Sequence, residues 1–189
     1  MVVLLKPCVV VLSGMPLMGK SALAGELVKM TNLVHVDVDE LRQLLFPNPQ
    51  RLLFKSETEF ALMESCYELL TKNAEWVFEH LRMPVCITGT FSRKEFKEPL
   101  KRMWDILTPG FPVGVFLLTA SDGKIEQRIE RRRREGSPSN IDTMEKFLWA
   151  KGFFQPIEFA PVVTIDTSGR YPMQCAGEVM EYLSDLCVW

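Results

Sequence analysis

Gly14, Gly19, Lys20 and Ser21 stand in the spacing G-x-x-x-x-G-K-S. The spacing suits a nucleoside triphosphate. Backbone amides bracketed by the glycines can wrap phosphate oxygens, a lysine can reach the β and γ phosphates, and a serine hydroxyl can ligate Mg²⁺. The binding loop is therefore Gly14, Met15, Pro16, Leu17, Met18, Gly19, Lys20 and Ser21, with Ala22 opening a helix whose positive end faces the same anion. Such a loop needs a buried strand before it and a helix after it. Val9, Val10, Val11 and Leu12 precede it, and Ala22 to Lys29 reads as helix.

A second group follows in His35-Val36-Asp37-Val38-Asp39-Glu40-Leu41-Arg42. If the strand runs through it, Asp37 and Asp39 share one face, near the carboxyl ends of the strands where ligands bind in open α/β sheets. A carboxylate there can accept the proton of an attacking hydroxyl, hold Mg²⁺ through water, or simply cap a helix starting at Glu40. Arg42 can steer an anionic substrate from that helix.

Farther on, Arg128 and Arg131 to Arg134 crowd one helical segment. Arg128 and Arg132, spaced i and i+4, share a face and form the pair able to contact a triphosphate. The alternatives are a solvated helix end or a nucleic-acid patch. Thr88-Gly89-Thr90 ends the third apolar run, where many phosphate-loop proteins place a Mg²⁺-directing Asp. Thr88 or Thr90 can still hydrogen-bond a phosphate or a metal-bound water. Either Mg²⁺ is then held mainly by Ser21 and Asp37, or transfer is impaired.

These residues need a scaffold, and the pattern supplies one. Short aliphatic runs at Pro7–Ser13, Leu33–Val38, Pro84–Thr88, Pro112–Leu118 and Pro161–Ile165 alternate with helical patterns. The helices are expected near Lys20–Met30, Glu57–His80, Arg93–Ile106, Asp122–Arg134, Thr143–Lys151 and Met173–Leu186. Alternation of this kind predicts a parallel sheet covered by helices. Phe60, Met63, Tyr67, Leu70, Ala74, Val77, Phe78 and Leu81 repeat at helical spacing and read as a core stripe. The turn Phe46–Gln50 precedes that helix, and Gly136-Ser137-Pro138 reads as the turn of a lid near 131–141.

With 189 residues, 47% of them hydrophobic, the chain is expected to be one domain, residues 1–189. Its net charge of -2 gives no global reason for a nucleic-acid or membrane partner. Five scattered cysteines without a C-x-x-C pair fit reduced thiols and a cytoplasmic location. The apolar start lacks a basic leading region and is broken by Lys6-Pro7, so it does not read as a signal peptide.

The loop Gly14 to Ser21, the D-x-x-R of Asp39 to Arg42, Arg128 with Arg132, Pro138-Ser139-Asn140 and the strand end Ile165-Asp166-Thr167 occur in the order seen in a known family. Together they resemble the small-kinase family of phosphate-loop ATPases, which is similar to polynucleotide 5'-hydroxyl kinase, chloramphenicol phosphotransferase, gluconate kinase and the zeta toxins. The resemblance implies a three-layer α/β fold with a five-stranded parallel sheet of order 2-3-1-4-5, and ATP with Mg²⁺. It also implies transfer of the γ-phosphoryl to a hydroxyl. By motif Asp39 matches the general base, Arg42 the residue near the acceptor, and Arg128 and Arg132 the lid arginines. Ser139 matches the serine of a post-lid S-D-A element, with Asn140 in place of its aspartate. Small hydroxyl acceptors such as a nucleoside, nucleotide, sugar or antibiotic rank above nucleic-acid 5'-hydroxyl ends. A nucleotide-binding module that regulates a partner without transfer is the alternative from another class.

Overall fold

Valine and isoleucine dominate the strands, as expected of strands buried on both faces. In a computed structural model, which describes residues 3–4, 6–46, 57–136 and 141–186, these are β1 (Val9–Ser13), β2 (Val34–Asp37), β3 (Val85–Thr88), β4 (Val113–Thr119) and β5 (Val162–Asp166). They form one parallel sheet in the order β2-β3-β1-β4-β5, the order the family resemblance implied. Each strand starts one or two residues after the proline or leucine expected to open it. The prolines lack an N–H but still offer a carbonyl: Pro112 accepts from Val9 N at 3.0 Å and Pro84 from Val34 N at 2.9 Å.

The helices are α1 (Lys20–Met30), α2 (Val38–Leu45), α3 (Glu57–Trp76), α4 (Lys94–Leu107), α5 (Asp122–Arg134), α6 (Met144–Lys151) and α7 (Pro172–Leu186). A π-helical turn at Val77–Leu81 extends α3 and ends at Arg82 with a φ of 53°. Period-two alternation splits the sheet between two cores. Val10, Leu12, Phe116, Leu118 and Ile165 pack with α1 and α7 on one face. Val9, Val11, Val85, Ile87 and Val115 pack with α3 and α4 on the other. Each fully buried aliphatic or aromatic side chain contributes about 1.5–3 kcal/mol.

Two expectations are corrected. The core stripe of α3 runs through Met63, Cys66, Tyr67, Leu70, Ala74 and Phe78, but Leu81 lies beyond it, half exposed, because the π-helical turn rotates it off the buried face. The second strand ends at Asp37, one residue short, and α2 starts at Val38 and not at Glu40. Residues 47–50 of the expected turn, and Ser137 to Asn140 of the expected lid and post-lid element, lie outside the described residues. Among the described residues no helix is long and apolar enough to cross a membrane.

Candidate functional site

The carboxyl ends of the strands open into a cleft of about 1600 Å³. Met15, Pro16, Leu17, Gly19, Lys20, Ser21, Ala22, Asp37, Asp39, Arg42, Thr90, Arg128 and Arg132 all line it. Gly14, Met18 and Thr88 do not. The topology explains the gathering: every parallel strand delivers its following loop to the same edge.

The loop after β1 is fixed by sterics. Gly14 has a φ of 142°, and a Cβ there would lie 2.6 Å from the Leu118 carbonyl oxygen. Leu17 adopts a φ of 71°, a left-handed conformation that costs a residue with a Cβ roughly 1–2 kcal/mol. Burial offsets that cost. Met15, Leu17 and Met18 are 4%, 6% and 7% exposed and belong to the core beneath α1. The bulky interior of the loop thus points down into the protein.

Lys20 lies across this loop, its Nζ donating to the Gly14 carbonyl at 2.8 Å and the Met15 carbonyl at 3.0 Å. Burial pushes its ammonium from 10.5 down to about 8; Asp39 and Asp37 act in the opposite direction, and Arg132 lowers it further. The lysine therefore senses both carboxylates and the second helix arginine across the cleft.

Arg128 and Arg132 are half-buried while Arg131, Arg133 and Arg134 are exposed, so the i, i+4 face is the inward one. Their roles differ. Arg128 donates through one terminal nitrogen to the Leu17 carbonyl at 2.6 Å and to Thr167 Oγ1 at 3.1 Å, and through the other to the Thr167 carbonyl at 3.0 Å. Thr167 Oγ1 in turn reaches the Met18 and Thr119 carbonyls, each at 3.0 Å. Arg128 consequently ties the phosphate loop to the end of β5. Burial holds both guanidinium groups below their usual range, with Arg131 adding to the effect; Asp39 opposes it at Arg132.

On the other side, Asp37 is the N-cap of α2. Its Oδ1 accepts from the backbone N–H groups of Asp39 (2.7 Å) and Glu40 (3.3 Å), and its Oδ2 accepts from the Thr88 hydroxyl. The cap is thus Asp37, and Asp39 sits in the first helical turn and not on a strand face shared with Asp37. His35 Nε2 lies 3.0 Å from Thr88 Oγ1, and since that hydroxyl's hydrogen is on Asp37, the imidazole is the donor. Thr88, fully buried, is spent on this link beneath the cleft.

Asp39 itself is 63% exposed and pairs with Arg42 at 3.1 Å; Arg42 is only 14% exposed, and its Nε is buried with no hydrogen-bond partner among the described residues. Thr90 joins the site through its backbone, its N–H donating to the Tyr67 hydroxyl at 3.2 Å, as that of Phe91 does at 3.3 Å. Gly89 permits this approach, since a Cβ would lie 3.0 Å from the Tyr67 ring.

Sequence reasoning did not single out His35, Tyr67, Arg93 or Thr167 for the site. Tyr67 was legible only as a core residue. Thr167 carried one usable signal, its place directly after the last strand.

Among the described residues no three His, Cys, Asp or Glu side chains form a metal-ligand cluster. A serine hydroxyl and one carboxylate with its other bonds already committed fit Mg²⁺, which takes few protein ligands and keeps water and phosphate oxygens.

A model of the AAA domain family AAA_33 matches residues 9–157. Solved structures of the same fold include a chain from Chloroflexus aurantiacus assigned as a kinase, with 18% identity, a TM-score of 0.70, and coverage of 96% of this chain and 98% of that one. The APS kinase CysC of Mycobacterium tuberculosis, solved with AMPPNP and APS, gives 17% identity, a TM-score of 0.63 and coverage of 95% and 98%. A gluconokinase from Sinorhizobium meliloti gives 14%, 0.61, and 95% and 97%. No curated protein matches the chain by sequence. The chain belongs to the AAA_33 family of AAA domains and has the phosphate-loop small-kinase fold.

Proposed function

We propose that the protein is an ATP-dependent phosphotransferase that moves the γ-phosphoryl of ATP to a hydroxyl of a small substrate. One observation carries the reading: Lys20 of the phosphate loop and Asp39 of α2 line one continuous cleft of about 1600 Å³. Pockets for a single ligand are typically about 300–1,000 Å³, so this cleft has room for two.

In this reading the loop amides and Lys20 hold the triphosphate. Ser21 and Asp37 hold Mg²⁺, which neutralises phosphate charge when bound. The acceptor hydroxyl oxygen forms a bond to the γ-phosphorus, the bond to the β–γ bridging oxygen breaks, and the proton passes to Asp39. Arg132, at the start of the lid near 131–141, faces the migrating group, while Arg128 keeps the loop in shape. The buried cysteines Cys8, Cys66, Cys86 and Cys175, in no disulfide among the described residues, suit a reducing compartment such as the cytoplasm.

A second reading, a nucleotide-binding module without transfer, draws on one observation: the Thr88 hydroxyl is committed to Asp37 and offers no metal ligand to the cleft. Purified protein with Mg·ATP, screened against nucleosides, 5'-hydroxyl oligonucleotides, sugars and antibiotics, separates the two. The transfer reading expects a phosphorylated product that Asp39→Asn reduces by about 10²–10⁴ with ATP binding intact. Tight ATP binding and no product from any acceptor supports the module.

A further inference from the structure

The half of the cleft facing away from the phosphate loop is lined by Asp39, Arg42, Phe60, Tyr67, Arg93 and Phe96. Its charges are unevenly spent. Asp37 is committed to capping α2, and Asp39 is paired with Arg42. Arg42 retains a buried Nε with no acceptor among the described residues. Arg93, half-buried, lies with its guanidinium carbon 4.2 Å from the centroid of the Phe60 ring, and it has no ion pair among the described residues. A guanidinium held over a ring keeps N–H donors for a planar or tetrahedral oxyanion.

The same wall offers a flat apolar seat. Phe96 stacks on Tyr67 at 4.7 Å and 14°, which holds its ring rigidly. Phe60, Arg93 and Phe96 also line an adjoining open groove of about 230 Å³. Glu64 and Glu95 reach that groove too, but both are exposed side chains at its rim.

Building on the transfer reading, we infer that the phosphoryl acceptor is a hydroxyl-bearing organic anion with a flat ring, its anionic group held between Arg42 and Arg93 and its ring seated against Phe60 and Phe96. The hydroxyl lies toward Asp39 and is the group phosphorylated; the anion is the handle.

The test is equilibrium binding by calorimetry to protein loaded with Mg²⁺ and a non-hydrolysable ATP analogue. Acceptors are offered in neutral and anionic pairs: adenosine with its 5'-monophosphate, hydroxybenzyl alcohol with hydroxybenzoate, glucose with gluconate. The two ringed aromatic pairs separate phosphate from carboxylate as the anion, and the sugar pair reports the value of the flat ring. In at least one aromatic pair the anionic member should bind tenfold or more tighter, and it should outbind gluconate. Arg93→Gln should shrink that gap to within threefold. Phe60→Leu, which keeps the charge but removes the stack, should shrink it partly, with unfolding temperatures reporting the fold of both variants. No anionic preference in any pair, or a preference that both variants retain, overturns the inference. Anionic preference without phosphate transfer from ATP keeps the anion-and-ring subsite but overturns the transfer reading and, with it, the ligand's role as acceptor; transfer to neutral and anionic members alike keeps the transfer reading and overturns the inference.

Discussion

The two halves of the cleft are built on opposite principles. On the phosphate side almost every polar group is already bonded to protein: Lys20 to two loop carbonyls, Arg128 to Leu17 and Thr167, Thr167 to Met18 and Thr119. Met15, Leu17 and Met18 anchor the same loop in the core. On the acceptor side the polar groups are held but not used up: Asp39 is exposed, and among the described residues the Arg42 Nε has no hydrogen-bond partner and Arg93 is fixed by a ring instead of a carboxylate. The contrast teaches where recognition is preformed. In the proposed function a triphosphate meets a loop whose backbone is already held in shape, so binding orders little new chain. An acceptor completes its own half.

The contrast is broken most severely by removing the one cradle group that must let go of protein to meet phosphate. Lys20→Ala should weaken ATP binding on the order of a hundredfold, since charged hydrogen bonds are worth about 1.5–3 kcal/mol each and 1.4 kcal/mol is tenfold. Calorimetry with Mg·ATP reads this directly, and affinity within threefold of the native protein would show that Lys20 does not engage the phosphates.

Arg128→Ala comes next. It leaves the carbonyls of Leu17 and Thr167 without their donor, so stability should fall by about 1–3 kcal/mol and ATP affinity about tenfold as the loop loses its shape. Arg132→Ala should lower transfer while changing the unfolding temperature less. Equal effects of the two substitutions on stability would mean that Arg128 is no clamp.

What the sequence made legible follows the same divide. The parallel sheet, α1 and α5 to their end residues, and the phosphate loop came from local signals: a spaced motif, aliphatic runs, and the i, i+4 face of Arg128 and Arg132; the strand order came from the family resemblance. Motif spacing placed Asp39 and Arg42 in the same cleft as Lys20, although their geometry came from a cap two residues earlier than expected. The role of Arg128 was not legible, because its partners Leu17 and Thr167 are 111 and 39 residues away. Nor was the link from His35 to Thr88 to Asp37, which exists only because β2 and β3 pair with Asp37 opposite Thr88. Tyr67 kept the periodicity of a core residue while lending its hydroxyl to two backbone amides of another segment. Long-range pairing writes no spacing into the chain.

That link between strands offers a smaller effect that tests whether the acceptor half too has a rigid base. Thr88→Val keeps the shape and removes the hydroxyl that joins Asp37 to His35, leaving both without that partner. Stability should drop by about 1–2 kcal/mol, and Thr88→Ser should restore most of it in chemical denaturation. If valine matches threonine, the hydroxyl bridge contributes nothing and Asp37 is held by its two amide bonds alone.

The smallest expected signal is a proton. Burial lowers the Lys20 ammonium from 10.5 to about 8 in the free protein. The unfolded chain therefore binds more protons than the folded one between about pH 8 and 10.5, and Lys20's unfavourable contribution to stability is complete below that window and relieved as pH rises through it. A bound triphosphate places negative charge beside the ammonium and raises its pKa again. ATP binding should then take up about 0.1 proton at pH 7 and close to one at pH 9, measurable by calorimetry in buffers of different ionisation enthalpy. Zero uptake at pH 9, or proton release, would show that the buried ammonium is not the group that turns from loop carbonyls to phosphate.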